Sequence, residues 1–265
     1  MTFTLHLNGV KLAETTFPVT LTVESEVATV TLDRPEARNA VSLEMCEGLL
    51  DVFDQINRRD DIGVVLIRGN GPVFCAGADL KERRGKDALW VARRREASFA
   101  AYDAIADCKV PVIAVVHGAI VGSGGEIAMS ADFVVASSDA VFSFPETHWG
   151  TVGATQRLQR VIGKRKAKEL IYTNTKLPAE QALELGLVQR IAPSDELMSV
   201  IDDYTERILA APRHAMILAK RSIDLGSEVT LAQGIRIEMQ SIAENLASNQ
   251  WQDGLKKFEK EHREG

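Results

Sequence analysis

The chain of 265 residues has only three cysteines, Cys46, Cys75 and Cys108, far apart and with no CxxC pair or histidine cluster around them. That excludes a disulfide framework and a thiolate zinc site, and it fits a reducing compartment. No stretch approaches the roughly 18 consecutive apolar residues of a membrane span. The first residues, Met1 to Gly9, lack a basic region followed by a long apolar run, so no export signal is expected there. Excess positive charge is also missing. A formal net charge of −6 argues against nonspecific binding to nucleic acid or an anionic membrane. The expectation is a cytoplasmic protein with neither a nucleic-acid nor a membrane partner. The basic runs Lys81 to Arg84 and Arg93 to Arg95 are most simply read as solvated helical faces, or as a local phosphate patch.

A hydrophobic share of 45% and a charged share of 26% are ordinary for a globular protein, and the length suffices for a full core. Val19–Val23 and Val27–Leu32 alternate with period two and predict a hairpin. Ser42 is placed to cap a helix running to about Arg59. Val64–Ile67 and Val112–Val116 are continuous apolar runs, and Phe133–Val135 is a shorter strand candidate. Between them lie a helical stretch reaching from about Asp79 to Asp107 and a short helix around Glu126–Ser130. Repeated strand–loop–helix units with apolar strands predict a mostly parallel α/β core. Pro178–Gly186 begins with proline and ends at glycine, as a short helix does, and Leu187–Ile191 predicts one more strand. From about residue 194 only amphipathic helices follow, with breaks near Pro212, Gly226 and Asn249.

Two acids stand out against apolar or small neighbours. Glu126 closes the run Gly118-Ala-Ile-Val-Gly-Ser-Gly-Gly125, and Glu146 follows Ala140–Phe144 and Pro145. Burial moves carboxyl pKa values toward neutrality, which general acid–base chemistry requires; two solvated loop acids are the plain alternative. The glycine run lacks the third glycine of a dinucleotide fingerprint. Ser123 lacks a nucleophile elbow because position 121 is valine, and His117 is better read as a strand-end residue paired with backbone. The more promising use of the run is its backbone, since free amides at a helix N-terminus stabilise an oxyanion. Ala78, after Gly77, offers a second amide of this kind.

The segments Phe74-Cys-Ala-Gly-Ala-Asp-Leu-Lys-Glu82 and Pro111-Val-Ile-Ala-Val-Val-His-Gly-Ala-Ile-Val-Gly-Ser-Gly-Gly-Glu126 resemble the two signatures of the crotonase (enoyl-CoA hydratase/isomerase) superfamily. The similarity extends from Leu32-Asp-Arg-Pro-Glu-Ala-Arg-Asn-Ala40 through Asp132, Phe142–Glu146, Thr155–Leu158 and Ala182–Val188. It implies a spiral of ββα turns over residues 1–193. A helical region at 194–265 would then build trimers or hexamers. It also implies an acyl-CoA thioester as substrate, with no metal or redox cofactor, CoA being part of the substrate. By motif position the oxyanion amides would be those of Ala78 and Ser123, and the catalytic acids Glu126 and Glu146. Arg38, Ala76, Asp79, Leu80, Lys81, Gly122 and Pro145 would bind CoA or the rest of the substrate. Retention of both acids implies hydration of a 2-enoyl-CoA or its reverse. Isomerisation, another acyl-CoA reaction of the superfamily and a noncatalytic RNA-binding role stay open as alternatives. The chain departs from the usual pattern in two places. Ser123 stands where most hydratases have glycine, and the loop Gly150–Leu158 is shorter than the one that fixes water in hydratases.

Overall fold

The computed structural model describes residues 17–261; the expectation about Met1–Gly9 lies outside them. Strand β1 (Val19–Glu24) and β2 (Val27–Leu32) form the expected antiparallel hairpin. Ser25 and Glu26 both take positive φ at its tight turn, the geometry whose twist matches that of the flanking strands. The main sheet continues in parallel through β3 (Val64–Gly69), β4 (Val112–Val116), β6 (Phe133–Ser137) and β9 (Arg190–Ala192), in the order β1-β2-β3-β4-β6-β9.

A second, three-stranded sheet joins β5 (Ala119–Val121), β7 (Val141–Ser143) and β8 (Leu177–Pro178). Each turn of the chain therefore adds one strand to the large sheet, one to the small sheet and then a helix. The first turn follows the same course with single bridges in place of a strand. Cys75 pairs with Ile120 and Val41 with Ala78. This is the ββα spiral, in which successive turns stack the segments around 41, 78, 120 and 142 beside one another.

Why β3 and β4 read as unbroken apolar runs follows from their two covered faces. Val65, Ile67, Val112, Ala114 and Val116 face the interior of the spiral, packed with α1 (Leu43–Asn57) and α2 (Ala88–Ala106). Val64, Leu66, Ile113 and Val115 face the other way, against Leu197 and Ile201 of α7 (Leu197–Leu209). So α7 is a layer of the core sheet. Helix α8 (Arg213–Ser227) and α9 (Leu231–Ala247) pack chiefly on each other, and α10 (Trp251–Glu261) ends the described chain. Lys220 pins α8 to the core through Asp132 Oδ1 at 2.5 Å and the Ala106 carbonyl at 3.1 Å.

Several expected elements shift. The helical stretch from Asp79 begins only at Ala88, where the Asp87 side chain accepts the Trp90 amide at 2.8 Å. Residues 80–87 form turns, so Lys81–Arg84 is not a helical face. Nor is Arg93–Arg95 a solvated run: Arg94 is 1% exposed and bonds the Val41 carbonyl and Ser98. Helix α3 starts at Ser123 rather than near Glu126, because the first free amides of the glycine run already have helical geometry. The expected strand at 187–191 moves to Arg190–Ala192, while Leu187 and Val188 turn inward as core residues.

Candidate active site

Ala78 is held by its neighbours. The Gly77 carbonyl accepts the Val41 amide at 2.8 Å, and the Asp79 amide donates to the Val41 carbonyl at 2.9 Å. In an extended segment successive amides alternate in direction, so the Ala78 N–H faces away from Val41. Ser123 is the first residue of α3 (Ser123–Ser130), and its amide has no acceptor one turn earlier. Among the described residues neither amide makes a hydrogen bond. Both residues line one cavity of about 80 Å³ together with Ala76, Gly77, Leu80, Val121, Gly122, Pro145, Glu146 and Thr151. Gly122, at φ 46° and ψ −105°, turns the chain from β5 into α3 and brings the helix N-terminus to the cavity. The arrangement offers two fixed donors to an oxygen that acquires negative charge.

Glu146 lies in a 3-10 turn, Glu146–Trp149, reached from β7 through Pro145. It is 9% exposed, and its Oε2 has no hydrogen-bond partner. Burial raises its carboxyl above the ordinary value, and the charge of Glu126 adds to that, partly offset by a backbone hydrogen bond and Arg95. Glu126, 5% exposed, has a different setting. Its Oε1 accepts the Ala154 amide at 2.7 Å, and its Oε2 faces Arg157 Nη1 at 3.4 Å. Arg157 is itself held by Asp103 at 2.8 Å and lies over the Tyr102 ring. One carboxyl thus has an oxygen without a partner, and the other is accepting on both oxygens.

The loop at 150–158 touches both acids. A methyl group placed on Gly153 would meet Glu146 Cγ at 3.0 Å and Oε1 at 3.2 Å, while the next residue, Ala154, donates its amide to Glu126. Ala154 takes φ 54° and leads into α4 (Thr155–Ile162), which carries Arg157. The loop therefore lies against both glutamates.

The remaining expected residues divide. Ala76, Leu80, Gly122 and Pro145 line the cavity. Glu126 does not line it. Arg38 and Lys81 are exposed and stand outside it. The Asp79 carboxylate is buried and pairs with Arg34 at 2.7 Å while accepting the Lys81 amide at 2.9 Å. Burial would raise that carboxyl, but Arg34 and the amide hold it below its ordinary value. His117 Nε2 bonds the Gly71 carbonyl at 2.8 Å, a backbone pairing as expected, and His148 is exposed.

Sequence reasoning missed Arg83, Arg95 and the Glu82–Arg94 pair. Glu82 Oε1 caps α1 by accepting the Leu43 amide, and Oε2 lies 3.5 Å from Arg94 Nε. A signal for Arg94 was present: with Ser98, Ala101, Tyr102 and Ile105 it falls on one helical stripe.

A sequence description of the enoyl-CoA hydratase/isomerase family matches residues 22–264. The chain belongs to that family. YngF of Bacillus subtilis, named for an enoyl-CoA hydratase/isomerase, is 36% identical over 253 residues, covering 92% of this chain and 96% of the relative. The structure is similar to the crystal structure of an enoyl-CoA hydratase from Bacillus anthracis (TM-score 0.89, 32% identity, 92% and 96% of the two chains). It is also similar to a Thermobifida fusca protein solved in complex with acetoacetyl-CoA (TM-score 0.79, 27% identity, 87% and 95% of the two chains). The crotonase fold expected from the motifs is the observed one.

Proposed function

We propose that this protein is an enoyl-CoA hydratase-type lyase, adding water across the 2,3 double bond of an acyl-CoA thioester or removing it. The observation that carries this reading is the contrast between two neighbouring carboxyls above one pair of free amides. The thioester oxygen would accept from the Ala78 and Ser123 amides, which stabilise the enolate form; losing one such donor costs about 2.7–4 kcal/mol. Glu146, with one oxygen unpartnered and a carboxyl pKa raised by burial, suits proton delivery to Cα. Glu126, accepting from Ala154 and Arg157, suits withdrawal of a proton from water attacking Cβ. Acid and base come from the protein and CoA arrives with the substrate, so the scheme uses no metal or redox cofactor. Ala76, Leu80 and the Asp79 backbone would hold the CoA end, with Arg38 and Lys81 at the phosphates.

A second reading, migration of the double bond with Glu146 alone carrying the proton, is favoured by one observation: Glu126 does not line the cavity. Glu126→Gln and Glu146→Gln, assayed on a 2-enoyl-CoA and a 3-enoyl-CoA, separate the two. Hydration predicts that each substitution lowers water addition by about 10²–10⁴-fold. Double-bond migration that survives Glu126→Gln, with no water addition by the wild type, would establish the isomerase instead. Full-rate hydration by both variants would remove the acid–base scheme altogether.

The proposed assembly is a homotrimer or a hexamer of this chain. Its support is the apolar stripe Ile235, Met239, Ile242 and Leu246, exposed at near-helical spacing on α9.

A further inference from the structure

Two arginines line the cavity without a salt bridge. Arg83, from the turns before α2, and Arg95, from the helix itself, line it with Ala78, Ser123 and Glu146. The neighbouring arginines are engaged, Arg94 with Glu82, Val41 and Ser98, and Arg157 with Asp103 and Glu126. Among the described residues neither Arg83 nor Arg95 forms an ion pair, and the buried Nε of Arg83 has no hydrogen-bond partner. Burial, together with the charges of Arg94 and Arg95, lowers the Arg83 pKa. Even so, a guanidinium stays charged. Among the described residues that line the cavity Glu146 is the one carboxyl; burial raises its pKa, and Arg95 offsets part of that without reaching salt-bridge distance. A half-buried pair of guanidiniums without an anion is costly, and a ligand that brings one relieves the cost.

The direction of the site says where that anion belongs. The free amides mark the thioester oxygen and Glu146 marks the reacting carbons. Arg95 lies beside Glu146: a methyl on Gly153 would meet Glu146 Cγ at 3.0 Å and Arg95 Nη2 at 3.5 Å. Arg83 is close enough to Arg95 for their charges to repel. The cavity, with Trp149 in its lining, has a volume of about 80 Å³, room for a short acyl chain.

We propose that Arg83 and Arg95 form a carboxylate-binding end of the acyl pocket, so that the substrate is the CoA monothioester of a short unsaturated dicarboxylic acid. This rests on the oxyanion-site reading of Ala78 and Ser123, but not on hydration as the reaction. Guanidinium forks match a carboxylate in geometry, and a planar bidentate contact discriminates strongly against a methyl group of similar size.

The test compares a 2-enedioyl-CoA monothioester with the 2-enoyl-CoA of equal length that ends in methyl. The wild type should favour the carboxylate by about 10- to 100-fold in kcat/KM, the range for hydrogen bonds to a charged group. Arg83→Met and Arg95→Leu should each collapse or invert that ratio, and Arg95→Lys should restore part of it. Calorimetric binding of the saturated analogues gives the same comparison without turnover. If hydration fails but binding still discriminates, the substrate class stands and the hydratase reading falls. Repeating the measurement with pantetheine thioesters, which lack the nucleotide, identifies the anion that is bound. Discrimination that persists supports the acyl carboxylate, while its loss assigns the arginines to a CoA phosphate and overturns the proposal. Equal use of both substrates by wild type and variants also overturns it.

Discussion

Replacing Gly122 by alanine tests the geometry of the site more sharply than deleting an acid does. The new methyl would sit 2.6 Å from Glu146 Oε1 and 3.3 Å from its carboxyl carbon. Non-bonded contacts are optimal near 3.5–4.0 Å, so the overlap amounts to about 1 Å. The backbone cannot give way easily. The Gly122 amide donates to the Ser143 carbonyl at 2.9 Å, and the Gly122 carbonyl accepts the Glu126 amide at 3.0 Å. The Glu146 carboxyl has to move instead. A misplacement of about 1 Å costs on the order of 10²-fold in rate, equivalent to about 2.7 kcal/mol of transition-state stabilisation. Backbone strain at φ 46° lowers stability by a further ~1–3 kcal/mol. The expected result is kcat down about 100-fold on an enoyl-CoA substrate, a lower Tm, and KM changed much less than kcat. Gly186→Ala is the control. It also has positive φ, +75°, but a methyl there meets nothing within 4 Å, so it should cost about 1–2 kcal/mol of stability and no turnover. Wild-type kcat in Gly122→Ala, measured on protein that has demonstrably folded, would refute the placement of Glu146 at the reacting carbons.

Glu146→Gln should stabilise the fold, and more so as pH rises. Burial raises the folded-state carboxyl above its ordinary 4.5, so folding is unpenalised below that value. It becomes less favourable as the unfolded chain ionises above it. Thermal melts of wild type and variant from pH 4 to 8 should diverge upward, and curves that converge instead would contradict the burial argument. Arg157→Gln removes the cation facing Glu126 Oε2 and leaves the Ala154 amide on Oε1. Water addition should slow by about 10-fold, equivalent to about 1.4 kcal/mol, with partial return in Arg157→Lys; an unchanged kcat would make Arg157 a structural residue only. Met239→Glu places a charge in the exposed α9 stripe, and light scattering should register loss of the multimer. An unchanged mass would locate the interface elsewhere.

The ladder of strands was legible because each one is either alternating or wholly apolar, and those patterns belong to covered sheets. Ser42 signalled its helix correctly, its side chain accepting the Met45 amide. What failed was local charge. Lys81–Arg84 and Arg93–Arg95 read as solvent-facing because nothing in the sequence says that Glu82 and Val41 will be brought to Arg94. Strand β5 was hidden because three residues beside a glycine run carry no period of their own. The pairing of β5 with β7, distant in sequence, is what makes it a strand.

The two glutamates and the glycine run are written in the sequence, and its motifs were enough to point to the family and its spiral. Their unequal environments are not written there. Glu126 accepts from Ala154 and Arg157, whereas Glu146 is left with a bare oxygen, because one loop lies against both once the turns have stacked. Burial, ion pairing and the placing of Arg83 and Arg95 depend on which side chains meet across the spiral. Contacts between residues far apart in the chain decide that, and no local pattern encodes them.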